Sequence, residues 1–549
     1  MGAQASTCYC MPGDSCWPAT SAWSQFNSTV GGRLIATVPI GSPCHDPNYD
    51  AAACAALQAE WTLPTPHLES SSSVMEPYFA NQSCDPFTAQ EKPCVLGNYV
   101  SYAVNVSSTA DVVATVNFAK RNNIRLVIRN TGHDFFGRST GAAALAVWTH
   151  NLNSINVTSW SDSTYSGPAI KLGAGVLGYA ATQAAHDAGL VVVGGECPTV
   201  GIAGGFTQGG GHSVLSTEFG LAADQTLEFE VVTASGTVVT ASWKKNADLY
   251  WALSGGGPGT YGIVTSLTVR AFPEVTIGGA ALVLAAAYTT PDLFNQAVTA
   301  FHSMLPNMTD LGASVTYLLT NQYLQLNPVT VYNSTAEHVK DVVLAPFIAK
   351  LAELGVPIVS SSYTSLSYND HYTTYMGPLP NGHLAVESYN FGSRLIPRSV
   401  IETNNKGFNA VVQNLTAQGV IAGITAGSFV NSQRVSNAAH PAWRTAIMQM
   451  QLITLWDNSA DAWNNNLVAQ KKMTSEFVPQ LMAITPGSGT YVNEADFNQP
   501  NWKVDFFGAN YDKLLTIKKK WDPTGMFYIL KGVGSDSWTV ANNGRMCRA

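Results

Sequence analysis

Nine glycines fall between residues 194 and 224. They run through Gly194-Gly195-Glu196-Cys197-Pro198-Thr199-Val200-Gly201-Ile202-Ala203-Gly204-Gly205, then Gln208-Gly209-Gly210-Gly211-His212-Ser213, and end at Gly220-Leu221-Ala222-Ala223-Asp224. Glycine costs backbone entropy on folding and offers a core nothing to pack. So dense a run therefore means backbone laid closely against something flat, and it reads as the cradle of a cofactor. At its centre stands Cys197, far from every other cysteine in the chain.

A second glycine loop precedes it, directly after an apolar strand expected over Arg125 to Ile128. In Ile128-Arg129-Asn130-Thr131-Gly132-His133-Asp134-Phe135-Phe136-Gly137-Arg138-Ser139, glycines and small polar residues let backbone N–H groups approach an anion as closely as a pyrophosphate requires. Arg129 and Ser139 add donors. The spacing matches neither a Rossmann fingerprint nor a Walker loop. Downstream come an expected strand, Leu227 to Thr233, and a turn at Ser235-Gly236. The glycine-rich blocks Asp248-Leu249-Tyr250-Trp251-Ala252-Leu253-Ser254-Gly255-Gly256-Gly257 and Tyr261-Gly262-Ile263-Val264-Thr265 follow.

A chain of 549 residues exceeds what one core usually serves. With 46% hydrophobic and only 12% charged residues, a large core is available and disorder is not expected. Residues 1–95, rich in Pro, Ser, Cys and Asn, read as a disulfide-stapled extension that includes a helical piece at Ala51 to Gln58. Residues 96–272 alternate β-rich segments with helices at Thr109 to Arg121 and Gly178 to Ala188. Between 273 and 500, alternating segments (Ala280 to Ala287, Ser314 to Leu319, Met448 to Leu455) mix with amphipathic helices at Pro291 to Met304 and Ala336 to Leu354, as in an antiparallel sheet backed by helices. Residues 501–549 return to the second region with a helix through Lys520, ended by Asp522-Pro523-Thr524-Gly525. The expected class is α+β. The longest apolar stretch, Ile277 to Tyr288, is too short to cross a bilayer and reads as a buried strand.

A net charge of -8 with no long basic block gives no footprint for nucleic acid or an anionic membrane, so the expected partner is a small molecule. Met1-Gly2-Ala3-Gln4 shows neither a basic n-region nor an apolar h-region. Export is expected instead from seven Asn-X-Ser/Thr sequons (Asn27, Asn81, Asn105, Asn156, Asn307, Asn333, Asn414) and from the cysteines. Eight of nine cysteines lie near the ends: Cys8, Cys10, Cys16, Cys44, Cys54, Cys84, Cys94 and Cys547. An even terminal set suits disulfides in an oxidising compartment. Cys44 with Cys54 and Cys84 with Cys94 are the plausible local loops, and the other pairings are open. A secreted, N-glycosylated monomer is the expectation.

The glycine blocks in this order, with Asn510-Tyr511-Asp512-Lys513-Leu514 and Trp521-Asp522-Pro523-Thr524-Gly525-Met526-Phe527 as closing element, resemble the berberine bridge enzyme-like flavoproteins of the vanillyl-alcohol oxidase superfamily. The resemblance implies a vanillyl-alcohol oxidase-type FAD-binding domain over 96–272 and an antiparallel-sheet substrate domain. It implies FAD bonded twice, through His133 to the 8α carbon and through Cys197 to C6 of the flavin ring. Beside Arg129, Asn130, Thr131, Gly132, Asp134, Gly137 and Ser139, it places Val200, Gly201, Gly204, Gly210, Gly211, His212, Gly220, Asp224, Gly262, Ile263, Asn510 and Tyr511 at the cofactor. It further implies an oxidase, since valine at Val200 stands at the position that gates O2 in relatives.

The proton acceptor is not settled by the resemblance. Carbohydrate-oxidising relatives carry a tyrosine or acidic residue on a central strand of the substrate domain. The matching strand, Met448-Gln449-Met450-Gln451-Leu452-Ile453-Thr454-Leu455-Trp456, has neither. Gln451 on that strand, His212 and Tyr511 are the catalytic candidates, and Tyr491 is a pocket candidate. A hydrolase is excluded for want of a Gly-X-Ser-X-Gly elbow or a His-Glu-X-X-His metal motif, and no metal is expected. The alternatives are a dehydrogenase or tailoring oxidoreductase on the same fold, and a flavin-carrying binding protein that has lost its activity.

Overall fold

The computed structural model describes residues 8–430 and 436–549. Met1 to Gln4, read above for an export signal, lie outside the described residues. The first sheet is built from β1 (Leu34–Ala36), β2 (Tyr102–Asn105), β3 (Leu126–Arg129) and β4 (Leu145–Trp148) in the order β1-β2-β4-β3. The pairs β2–β4 and β3–β4 are parallel. Crossover between parallel strands needs a helix, and Thr109–Arg121 supplies it. That helix is capped by Ser108 accepting from Asp111 N–H, with Asp111 in its first turn and Lys120 and Arg121 in its last.

A second sheet contains β5 (Ile155–Ser161) and β6 (Ser166–Gly173), then, beyond the short β7 (Leu190–Val191), β8 (Thr226–Val232), β9 (Val238–Ser242) and β10 (Ile263–Arg270). Its order is β5-β6-β10-β8-β9 and every pair is antiparallel, so the cofactor domain is only partly an alternating α/β unit. The two glycine loops leave β3 and enter β8, and both end up between these sheets.

After the short β11 (Phe272–Pro273), seven strands form one antiparallel sheet. They are β12 (Ile277–Ala285), β13 (Ala313–Leu319), β14 (Tyr323–Tyr332), β15 (Ser360–Leu366), β16 (Tyr389–Pro397), β17 (Ile421–Ala426) and β18 (Ala446–Leu455), in the order β15-β12-β14-β13-β17-β18-β16. One face is covered by helices. Pro291–Asp310 begins at Thr290, whose hydroxyl accepts from Leu293 N–H, and buries Phe294, Val298, Phe301 and Leu305 at helical spacing. Arg398–Ala417 buries Ile401, Phe408, Val412 and Leu415 against the same face. The helix expected over Ala336 to Leu354 is broken: Ala336–His338 and a wider turn at Val339–Val343 precede Ala345–Leu354. Pro346 has no N–H to continue a ladder through that point.

Four disulfides join Cys8 to Cys547, Cys10 to Cys16, Cys44 to Cys54 and Cys84 to Cys94. Cys197 is free. The extension spans both domains: Val386 N–H donates to Thr62 O at 3.0 Å and Glu387 N–H to Met75 O at 3.1 Å, while Phe79 lies against Gly137 of the first glycine loop. Among the described residues no helix is long and apolar enough to cross a membrane.

Candidate active site

The first glycine loop is held by its own acid. Asp134 accepts from Ser139 N–H at 3.2 Å, from the Ser139 hydroxyl at 2.5 Å and from Arg138 N–H at 2.5 Å. Arg129 is fully buried behind the loop and donates to the carbonyls of Ser73 and His67. Gly132 sits at φ +83, and a side chain there would meet the Arg129 guanidinium at 2.5 Å. Glycine is the residue that fits. The two loops then meet. A Cβ on Gly201 would come within 2.1 Å of Asn130 Oδ1, so this contact fixes the loops against each other at backbone distance.

Between them lies a cleft walled by Asn130 to Asp134, Arg138 and Ser139, by Val200, Gly201, Gly204 and Gln208, by Pro258, Gly259, Gly262 and Val264, and by Tyr491, Asn493 and Ile529 of the C-terminal part. Three polar atoms on its walls are buried without a partner: Asn130 Oδ1, Gln208 Oε1 and Arg138 Nη2. Unpaired buried groups cost free energy, and three gathered on the walls of one cleft suit a bound molecule that pairs them. Burial lowers the Arg138 pKa to about 10, which leaves its charge in place at neutral pH. One cationic donor and two amide acceptors, set among backbone N–H groups, suit a ligand that carries both phosphates and a hydrogen-bonding ring. FAD fits that description.

At one end of the cleft His133 and Cys197 converge on Thr199. Its hydroxyl lies 2.8 Å from His133 Nε2 and 3.6 Å from Cys197 Sγ, and Thr199 itself is fully buried. Desolvation, with His67 and Arg129 adding repulsion, lowers the His133 pKa to about 3, so the ring is neutral. Burial pushes the Cys197 thiol upward, partly offset by its hydrogen bonds to Thr199 and Val200.

The other residues expected from sequence are distributed more widely. Asn130, Thr131, Gly132, His133, Asp134, Ser139, Val200, Gly201, Gly204 and Gly262 line the cleft. Gly137, Gly210, Gly211 and Gly220 adopt positive φ in the supporting turns. Asp224 accepts both Arg444 guanidinium nitrogens at 2.8 Å and so ties the loop to the substrate domain. Ile263 is core, at the start of β10. Asn510 Nδ2 donates to the carbonyls of Ala438 and Ala439 at 3.2 Å, and the Tyr511 hydroxyl accepts from Gly534 N–H at 3.4 Å. Both residues lie outside the cleft wall.

His212 Nε2 lies 3.1 Å from Glu494 Oε1, Gln449 Nε2 donates to Glu494 Oε2 at 2.9 Å, and the Tyr491 ring stands edge-on to His212 at 5.4 Å. Burial alone would lower the His212 pKa, but the Glu494 charge and hydrogen bond, with Glu196 beyond, carry it above the ordinary value. In its protonated form this ring is a donor. Gln451 lies on β18 with its amide oxygen over Gly423, and an amide takes no proton at ordinary pH. Sequence reasoning passed over Arg138, Gln208, Asn493, Glu494, Glu196 and Thr199. Arg138, Glu196, Thr199 and Gln208 stood in or beside the glycine loops and Asn493 and Glu494 just beyond Tyr491, but the direction of each side chain is a property of the folded chain.

A family model described as an FAD binding domain matches residues 100–242, and one described as berberine and berberine like matches residues 490–534. The first match contains both glycine loops and the second contains the closing element. Similar curated proteins include the FAD-linked oxidoreductase ZEB1 of Gibberella zeae, 48% identical over 543 residues, or 99% of this chain and 95% of that protein. Another is the VAO-type flavoprotein oxidase VAO615 of Thermothelomyces thermophilus, 43% identical over 99% of this chain and 96% of that protein. The crystal structure of the VAO-type flavoprotein MtVAO615 from Myceliophthora thermophila superposes with a TM-score of 0.94 at 42% identity, covering 99% of this chain and 100% of that one. Berberine bridge enzyme shares the fold at a TM-score of 0.69 and 16% identity, over 93% of this chain and 99% of that one. Identity of this order along the whole length, over a cleft with these vacant donors and acceptors, makes the chain a member of the VAO-type, berberine-like FAD-linked oxidoreductases.

Proposed function

We propose that the protein is an oxidase whose FAD is bonded to both His133 and Cys197, and that it takes hydride from a carbon bearing a hydroxyl and gives the electrons to O2 as H2O2. The observation that carries the reading is the shared hydroxyl of Thr199, which holds the two attachment candidates at one end of the cleft. With Nε2–H directed at Thr199, the neutral His133 ring keeps a lone pair on Nδ1 for a bond to carbon. His133 and Cys197 each give up one hydrogen as they bond to a flavin carbon that also gives up one. The two electrons and two protons of each bond go to O2. Flavin bound there supplies a two-electron acceptor: the substrate C–H bond breaks with its electron pair, the O–H proton passes to a protein group, and O2 is reduced in turn.

Val200 lines the cleft three residues beyond Cys197 and is only partly buried, which supports O2 access. The relative VAO615 is a VAO-type flavoprotein oxidase, which supports the same choice over a dehydrogenase. Export and N-glycosylation are proposed with it, supported by the four disulfides and by the exposure of Asn81, Asn156, Asn307, Asn333 and Asn414.

Acid-precipitated protein is expected to stay yellow. His133→Ala and Cys197→Ala are each expected to keep one bond, and only the double variant to release FAD into the supernatant. Free flavin from the native protein would refute the double attachment. Reoxidation after anaerobic reduction tests the oxidase step. It is expected to be fast and to yield H2O2, and to slow in Val200→Ile, whose extra methylene fills space in a close-packed interior.

A further inference from the structure

The helix-free face of the seven-stranded sheet carries a gradient of polarity that ends at a carboxylate. Three contacts turn this face toward the glycine loops. Thr316 of β13 and Thr425 of β17, partners across the ladder, both donate to Glu196 Oε1 at 3.0 Å. Gln449 of β18 reaches Glu494. Phe391 of β16 stacks on Phe135, two residues past His133, with ring centroids 3.8 Å apart.

Side chains alternate between faces, so the ladder register orders the rest. Level with Thr425 is Gln449; one step outward are Gln451, Ser393 and Leu318 around Gly423. A further step brings Phe391, Ile453 and Ile421, and then Tyr389 opposite Leu455. All five of these outer side chains are partly or, at Leu455, two-thirds exposed, and none is charged.

We propose that this strip is the substrate site, that it takes an alcohol with an apolar aryl or alkyl body, and that Glu196 receives the hydroxyl proton. The proposal rests on the oxidase reading above. Glu196 directly precedes the attachment candidate Cys197, and both threonine hydroxyls occupy Oε1, which orients the carboxylate and leaves Oε2 to the substrate. The acid missing from β18 thus reaches the sheet from the loop. A sugar would bury several hydroxyls against the outer positions of β16, β17 and β18, whose one polar group is the Tyr389 phenol, leaving them unpaired, whereas an apolar body buries its surface there. In the reaction the carbinol hydrogen would leave with its electron pair for the flavin, the O–H proton would go to Glu196 Oε2, and a carbonyl would form. O2 would then take the two electrons and two protons, one returned by Glu196.

Holoenzyme under nitrogen, probed with phenethyl alcohol and with glucose, tests the reaction. The alcohol is expected to bleach the flavin with a kcat/KM at least about a hundredfold above glucose. Glu196→Gln is expected to lower the bleaching rate by a factor of about 10²–10⁴, with the visible spectrum and dithionite reduction intact, and Glu196→Asp to recover part of it. Calorimetric titration with dimethylbenzylcarbinol, a tertiary alcohol with no carbinol hydrogen, tests binding without turnover. Ile453→Asn is expected to weaken it about tenfold or more, and Glu196→Gln by only a few-fold. Native-rate bleaching by Glu196→Gln, preference for glucose, or native affinity in Ile453→Asn would each overturn the proposal. Glucose turnover with H2O2 would do so while leaving the oxidase reading in place. Alcohol bleaching without H2O2 would remove the oxidase reading and leave this one.

Discussion

In the double attachment proposed above, Thr199 positions both bonding residues without itself bonding the cofactor. Its hydroxyl holds the His133 ring through Nε2, which leaves Nδ1 free of this contact, and holds the Cys197 thiol beside it. Thr199→Val keeps the shape and removes that hydroxyl. A neutral hydrogen bond is worth about 0.5–1.5 kcal/mol, so attachment is expected to slow by up to about tenfold. The fraction of flavin that stays with acid-precipitated protein should fall below native, with FAD appearing in the supernatant; native retention would show that Thr199 only packs. That His133 and Cys197 come together could be anticipated from the two glycine loops that carry them and from the isolation of Cys197 from every other cysteine. The contacts of Thr199 and Glu196 could not. Their partners lie 66 residues away at His133, and 120 and 229 residues away at Thr316 and Thr425, and no local pattern records such contacts.

At the scale of elements, the end of the loop at Gly220–Gln225 is tied to the substrate domain by a buried acid. Asp224 accepts from both Arg444 nitrogens, from Leu221 N–H at 2.9 Å and from Asn437 Nδ2 at 2.5 Å. Breaking a buried pair by removing one charge costs about 3–5 kcal/mol. Arg444 keeps about a quarter of its side-chain exposure, so the loss here should lie below that range. Asp224→Asn is expected to lower the thermal midpoint while leaving acid-stable flavin unchanged; an equal loss of flavin would make Asp224 a cofactor ligand rather than a tie. The strands around it could be read from alternation: Met448, Met450 and Leu452 face the helices, and Gln449, Gln451 and Ile453 the loops. Helix Thr109–Arg121 was legible to its ends because its cap and terminal charges are written locally. The antiparallel second sheet and the break before Pro346 were less so, since pairing partners are distant and one proline was outweighed by an amphipathic pattern.

Over the whole molecule, the extension and the disulfide from Cys8 to Cys547 close the chain end to end, and both domain cores carry buried titratable groups that link folding to pH. In the substrate domain His302 donates from Nδ1 to Asn409 Oδ1 at 2.7 Å, while its Nε2 is buried without a partner. Burial lowers its pKa to about 4. Below the ordinary histidine value of about 6.5 the unfolded chain takes up a proton that folded His302 refuses, so the stability present above pH 6.5 is lost as pH falls toward 4. The loss attributable to this one side chain is of order 3 kcal/mol. Glu76 and Glu387 act in the opposite sense. Burial raises both well above the carboxylate range, so they favour the fold at low pH and oppose it as the unfolded carboxyls ionise above about 4.5. The net profile of the native protein therefore mixes two slopes, and the informative quantity is a difference. His302→Gln retains a donor for Asn409 and cannot be protonated. Its thermal midpoint is expected to lie below native at pH 7 and to close that gap steadily between pH 6.5 and 4; curves that stay parallel across this window would show that His302 titrates alike in the folded and unfolded chains.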